Sequence, residues 1–248
     1  MTKKNSKTRK NGLTMVIDKG LSFRESEDFI FSCSQYTDIV KFAFGTSLLT
    51  NNLKEKVNLF HKNNILVHAG GTLFEYFAIN NQINYYKKFL DKNNINMVEI
   101  SDGCIDIDHD QKCKIIKDFK KDFKVISEVG NKFKSEDNKI EKWPLWIQKE
   151  LDAGSWKVIT ESRESGKTGI YNSNGNIEKN IVAKIASKIN IEHIIWEAPK
   201  QNQQAWLINE FGSSVNLGNI SSKDVLSLEC LRRGLRADTF LSFNKINK

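Results

Sequence analysis

The chain is poor in the residues that break, staple or anchor a fold. Of its 248 residues only two are proline, Pro144 and Pro199, and neither lies in a Gly/Ser-rich stretch. No linker is visible, so one domain is expected. The four cysteines, Cys33, Cys104, Cys113 and Cys230, include no C-x-x-C pair. Nothing in so large and cysteine-poor a chain suggests a disulfide framework, and reduced, mainly buried thiols are expected. No apolar run approaches the roughly 20 residues that a membrane-crossing helix needs. The apolar segment Leu13 to Ile17 behind the basic N-terminus is too short for a signal sequence, and the cytoplasm is the expected location.

Acid is missing in one place. The first ten residues hold Lys3, Lys4, Lys7, Arg9 and Lys10 and no carboxylate, and they supply five of the net +8 charges. The remainder, +3, is ordinary for an enzyme, which argues against nucleic acid as a partner. Residues 1–11 read as a flexible basic arm, 12–243 as the folded domain and 244–248 as a tail.

What the chain does have is a rhythm. Eight short β-branched or aromatic runs each end at a charged or small polar residue, and a helix-period stretch follows. They are Leu13 to Asp18, Ile39 to Phe44, Ile65 to His68, Met97 to Ser101, Lys124 to Val129, Trp156 to Thr160, His193 to Glu197 and Val215 to Leu217. None alternates cleanly, as expected of parallel strands covered on both faces. The pattern predicts an α/β chain folded as a single (β/α)8 TIM barrel. In such barrels the strand ends share one mouth, where Asp18, Lys19, Lys41, His68, Glu99, Asp102, Glu128, Glu161, Arg163, Glu197 and Asn216 are expected to converge.

The helices carry their own punctuation. Ser22 to Glu25 has the S-x-x-E form of a capping box, and Thr72 to Glu75 repeats it behind Gly70 and Gly71. Asn172 to Asn176 reads as a loop tip, a lid and a plain turn being equal alternatives. The five tryptophans fall inside apolar patterns and are expected to pack in the core.

Glu99, Glu128, Glu161 and Glu197 stand in or at the end of apolar strands, where a bare charge is costly. Hard oxygen donors without a His/Cys cluster point to magnesium, with Glu99, Glu128 and Glu161 as candidate ligands. For any one glutamate, an ion pair with Lys41, Lys132 or Arg163 competes equally with ligation; for the set, the metal is favoured. Cations near strand or helix ends suggest a multiply anionic substrate, with Lys41, Arg163, Arg232, Arg233 and Arg236 as anion holders. Gly166-Lys167-Thr168 resembles the end of a P-loop, but Glu161 stands where that motif needs glycine, so nucleotide binding is rejected. His68 is left without a role, a hydrogen-bonded core position being as good a reading as a base.

Beyond composition and spacing, several segments resemble one family. They are Gly12-Leu13-Thr14-Met15-Val16-Ile17-Asp18-Lys19-Gly20, Gly70-Gly71-Thr72-Leu73-Phe74-Glu75, Ser127-Glu128-Val129-Gly130 and Arg163-Glu164-Ser165-Gly166. Glu197-Ala198-Pro199, Val215-Asn216-Leu217-Gly218-Asn219 and Leu231-Arg232-Arg233-Gly234-Leu235-Arg236 continue the likeness, in order, over about residues 9 to 241. The chain resembles the phosphosulfolactate synthase family. The resemblance implies a magnesium-dependent enzyme that adds sulfite to phosphoenolpyruvate, giving (2R)-phospho-3-sulfolactate, an early intermediate of coenzyme M synthesis in methanogens. It also implies a lysine general acid behind the E-V-G segment, for which Lys132 is the candidate. Family relatives often carry consecutive lysines there, whereas this chain reads Asn131-Lys132. Two alternatives stay open: a member acting on another phosphorylated or carboxylate substrate, and a noncatalytic, stress-associated homologue. The sequence leaves oligomeric state open, a homo-oligomer being compatible with it.

Overall fold

The computed structural model describes residues 9–130, 140–163 and 165–244. Most of the basic arm and the tail, together with Asn131 and Lys132, lie outside the described residues. The chain begins β1 (Thr14–Asp18), α1 (Phe23–Cys33), β2 (Ile39–Phe42), α2 (Thr46–Leu49), α3 (Leu53–Lys62), β3 (Leu66–Ala69), α4 (Gly71–Ile79) and α5 (Ile83–Lys92). It continues through β4 (Met97–Ile100), α6 (His109–Phe119), β5 (Lys124–Val129), α7 (Trp143–Ala153), β6 (Lys157–Thr160) and α8 (Lys179–Ala186). It ends with β7 (Ile194–Glu197), α9 (Gln201–Phe211), β8 (Leu217–Ser221), α10 (Val225–Arg232) and α11 (Ala237–Phe243). The eight strands pair in parallel in sequence order, and β8 closes on β1. This is the (β/α)8 barrel that the strand rhythm predicts. No helix among the described residues is long and apolar enough to cross a membrane.

Two apolar layers hold the barrel. Val16, Val40, Val67, Val98, Val125, Val158 and Ile194 face outward into the larger core beneath the helices. Their neighbours Met15, Ile39, Met97, Ile126, Ile159 and Ile195 face inward and fill the barrel axis. Because side chains alternate along a strand, the next inward position is two residues further on. Those positions are Ile17, Lys41, Glu99, Glu128, Glu161 and Glu197, and all six line the cavity at the C-terminal end of the strands. The floor of the mouth is thus apolar, and its wall is charged.

Several sequence expectations are corrected. The last strand starts where the sequence reading ends it: Val215 and Asn216 precede β8, and the Asn216 amide donates to the Glu192 and Ile194 carbonyls at the foot of the barrel. The Ser22–Glu25 capping box is formed, but Thr72–Glu75 is not one. There the N-cap is Gly70, and the buried Glu75 carboxylate instead accepts from Ser101 Oγ and the Gly103 and Cys104 amides. Among the thiols only Cys33 is buried, and Cys104 is exposed. Asn172 to Asn176 is a turn closed by a Tyr171–Ile177 bridge, and Gln203 on α9 donates to the Gly166 carbonyl before it and the Gly175 carbonyl within it.

Three arginines expected at the mouth stand elsewhere. Arg232 is buried at the opposite end, where its guanidinium donates to the Val215 carbonyl at 2.8 Å, the Leu13 carbonyl at 3.2 Å and the Ser213 carbonyl. It ties the starts of β1 and β8 together. Arg233 pairs with Glu229 over the Tyr36 ring, and Arg236 pairs with Asp238 and donates to Ser227 Oγ. A basic helix C-terminus accounts for Arg232 and Arg233 without a ligand. Arg232→Met should therefore lower the unfolding free energy by about 3 kcal/mol, since buried carbonyls lose a charged donor. Urea titration checks this, and ligand affinity at the mouth should stay unchanged; weakened binding at full stability would contradict the assignment.

Candidate active site

The mouth encloses a cavity of about 480 Å³. A wider recess of about 780 Å³ opens at the foot, lined by Arg9, Lys124 and Trp156 among others. The mouth is the better candidate because polar groups from most of the strands converge there, and the C-terminal face is where barrels of this kind do chemistry.

Lys41 is at the centre. Its Nζ lies 3.1 Å from Glu99 Oε2, 3.4 Å from Glu128 Oε2 and 3.4 Å from Glu197 Oε1. All four side chains are nearly or wholly buried. Burial opposes the charge on Lys41, but Glu99, Glu128, Glu197 and Glu161 overcome it and hold the ammonium well above its ordinary pKa. The lysine is thus a fixed cation, a donor and counter-charge, unsuited to act as a base near neutral pH.

Backbone donors fix the ring from behind. Gly71 N–H donates to Glu99 Oε1 at 2.9 Å. A Cβ on Gly71 would lie 2.2 Å from Ser101 Oγ and 2.6 Å from that same carboxylate oxygen, so only glycine allows the approach. Ser162 N–H donates to Glu197 Oε2 at 2.9 Å, and Arg163 N–H to Glu161 Oε1. Tyr171 OH, pinned by its buried ring, donates to the Glu197 carbonyl at 2.6 Å. The loop bearing Arg163 and Ser165 is in this way fastened to β7 and α9, and both residues line the mouth. Thr72, Phe44 and Asn219 complete much of the remaining wall.

His68 sits deeper than expected. It is fully buried, with Nδ1 3.3 Å from Glu99 Oε2 and 3.1 Å from the Ala69 carbonyl and Nε2 against Met15 Sδ. Burial, then the charge of Lys41, pushes its pKa down to about 3, so it is neutral at physiological pH and can donate from Nδ1. Other residues expected at the mouth are spent on structure. Asp18 accepts from the Gly20 and Leu21 amides and pairs with buried Lys56 at 2.6 Å. Asp102 pairs with Lys112, which also meets Glu150 and the Glu128 carbonyl. Exposed Lys19 lies outside the cavity wall.

Of the residues expected to hold anions, the structure brings Lys41 and Arg163 to the mouth and leaves out Arg232, Arg233 and Arg236. Of those expected to hold magnesium it brings Glu99, Glu128 and Glu161 together, and it adds Glu197 to the ring around Lys41. Among the described residues, no three His, Cys, Asp or Glu side chains form a ready-made metal cage. Sequence reasoning passed over Asn219, Thr72 and Phe44. The one signal that could have found the ring as a ring is its spacing, an apolar residue and then Glu two positions later in four successive strands.

The comparisons agree over nearly the whole chain. A family model described as (2R)-phospho-3-sulfolactate synthase matches residues 2–238. A phosphosulfolactate synthase of Methanocaldococcus jannaschii is 42% identical over 235 residues, covering 92% of this chain and 94% of that protein. One from Bacillus subtilis is 39% identical over 238 residues, 95% and 94% respectively. Solved barrels share the fold at low identity. They include a 3-keto-L-gulonate-6-phosphate decarboxylase from Vibrio cholerae (TM-score 0.57, 10% identity, 95% of this chain and 100% of that one). A 3-hexulose-6-phosphate synthase from Salmonella typhimurium is another (TM-score 0.53, 12% identity, 92% of each chain).

Neutral His68 has a cost that pH exposes. The unfolded chain takes up a proton near pH 6.5, and the fold refuses it until about pH 3. As pH falls through that window, stability should drop by about 1.4 kcal/mol per pH unit relative to a His68→Gln variant. Denaturant unfolding from pH 7 to 4 checks this; parallel curves would show that His68 protonates in the fold.

Proposed function

Because the chain belongs to the phosphosulfolactate synthase family, we propose that it is an enzyme that joins sulfite to phosphoenolpyruvate with the help of magnesium. The observation that carries this reading is the charge balance at the mouth. Four buried carboxylates face one buried ammonium and the half-buried Arg163, a formal surplus of two negative charges, so an anionic substrate needs a further cation to enter.

Glu99 accepts from Gly71 N–H and lies beside His68 and Lys41, and Glu197 accepts from Ser162 N–H and lies beside Lys41. The three expected ligands stand at the ends of neighbouring strands, Glu99 on β4, Glu128 on β5 and Glu161 just past β6. One or two carboxylates, with water and substrate supplying the other positions, is the usual way magnesium is held. When bound there, the ion would serve as a Lewis acid for charge that builds on the substrate carboxylate.

The chain's own residues do the rest. Arg163 and Lys41 offset the charge of two approaching anions in a partly dry cleft. The sulfur lone pair of sulfite forms the new bond to C3 of phosphoenolpyruvate, and the C2–C3 π pair moves to C2 and its carboxylate. A proton delivered to C2 completes (2R)-phospho-3-sulfolactate, with Lys132 as the proposed donor. The apolar floor of Met15, Met97, Ile126 and Ile159 keeps water from below.

Purified protein incubated with phosphoenolpyruvate, sulfite and magnesium should form phosphosulfolactate, read by mass spectrometry. Full chelation should abolish it, and Glu161→Gln should cost about 10²- to 10³-fold in kcat/KM. Product that survives complete chelation would remove the metal from the account. No sulfite-dependent product from folded, magnesium-loaded protein would overturn the substrate assignment.

A further inference from the structure

Asn219 carries three independent marks of a residue built for a ligand. The first is register. Between β1 and β8 the pairing runs Thr14 to Leu217 and then Val16 to Ile220, so β8 contains one extra residue. Leu217 and Ile220 both belong to the outer core. Gly218 packs inward, where a Cβ would meet Met15 and Ile195. Asn219, which simple alternation would send outward, lines the mouth instead. A bulge of this kind re-aims a side chain.

The second mark is strain. Asn219 has a φ of +54°, within a strand. The described residues other than glycine that share positive φ fall into two groups. Asn52, Asn64, Asn81 and Asn94 sit at helix ends, and Phe44, Arg163 and Asn219 all line the mouth. Left-handed backbone at a site wall is held by its surroundings and tends to mark function.

The third mark is an unmet hydrogen bond. The residue is buried, with 6% exposure, and its Oδ1 finds no partner among the described residues. A buried carboxamide is normally satisfied. With no bond at Oδ1 to lose, the carboxamide can turn about its last torsion and present either the oxygen or the two N–H donors.

We propose that Asn219 is a substrate-contacting specificity residue whose amide N–H donates to a tetrahedral oxyanion, the sulfite-derived sulfonate or the phosphoryl group. This rests on the reading of the mouth as a site for anionic substrates. The geometry is apt: the carboxylates come from β4 to β7, and Asn219 on β8 lies between the strand of Glu197 and that of apolar Ile17, at the edge of the charged ring. An anion repelled by the ring is met there by a neutral donor that adds no counter-charge for the carboxylates to compete for.

Two variants test it. Asn219→Asp keeps shape but places an acceptor where a donor is required. Asn219→Gly removes the amide and relieves the left-handed backbone, so it should melt no lower than wild type. Both should weaken anion binding by roughly 10- to 100-fold, the worth of a hydrogen bond to a charged group. Titration calorimetry with magnesium and, in turn, phosphoenolpyruvate, sulfite and inorganic phosphate reads this without turnover. A loss confined to sulfite assigns the sulfonate, and a loss shared by phosphoenolpyruvate and phosphate assigns the phosphoryl group. Unchanged affinity for all three in folded Asn219→Gly, or no binding of any of them to wild type, overturns the proposal. If wild type binds these anions but makes no phosphosulfolactate, the reaction assignment fails while the same titrations still decide Asn219.

Discussion

One buried ammonium makes the mouth of this barrel possible. Glutamates gathered at the end of a dry cylinder would repel one another and take up protons, and the apolar floor beneath them offers no relief. Lys41, reaching in from β2, contacts three of them within 3.1 to 3.4 Å and supplies a buried counter-charge to all three. The same contacts hold the lysine charged against its own burial. Neither side of this pairing is tolerable alone. The ring's remaining negative charge then defines what the site can accept: a hard cation first, and anions only with it.

Precision comes from the backbone. Gly71 and Ser162 amides clamp the outer oxygens of Glu99 and Glu197, and the Arg163 amide clamps Glu161. His68, neutral because it is buried beside Lys41, can donate to Glu99 without adding charge. Preorganised donors of this sort cost no rearrangement when charge develops. The left-handed residues Phe44, Arg163 and Asn219 are concentrated on the same wall, so the fold spends its conformational strain where ligands would sit. Barrels with TM-scores of 0.53 and 0.57 share the frame at 12% and 10% identity, and a frame of this kind leaves the chemistry to the residues mounted on it.

Much of this was legible in the residues. β5 runs over Lys124–Val129 as its β-branched pattern indicates, and the first helix starts on its Ser22 box. Strand ends rich in carboxylate announced the ring, because apolar runs rarely end in Glu without a partner. What stayed hidden depended on three-dimensional register. Asn216 and Arg232 follow the right motifs yet serve the foot of the barrel, since a sequence does not say which end of β8 they flank. Thr72 and Glu75 have capping spacing, but close packing at Gly70 and Gly71 starts the helix earlier and turns Glu75 to the neighbouring loop. Asn219 was unreadable for the same reason, as a one-residue bulge decides which way it faces.

The site depends on Lys41 being a permanent cation inside the ring. A pH titration of its side-chain nitrogen by NMR, in lysine-labelled protein with the signal assigned by its loss in Lys41→Arg, tests this most directly. An ammonium that keeps its proton well past the ordinary lysine value of 10.5 is the result the account requires. A proton lost below that value would show that burial, not the carboxylates, governs Lys41, and would contradict the charge balance on which the site is built.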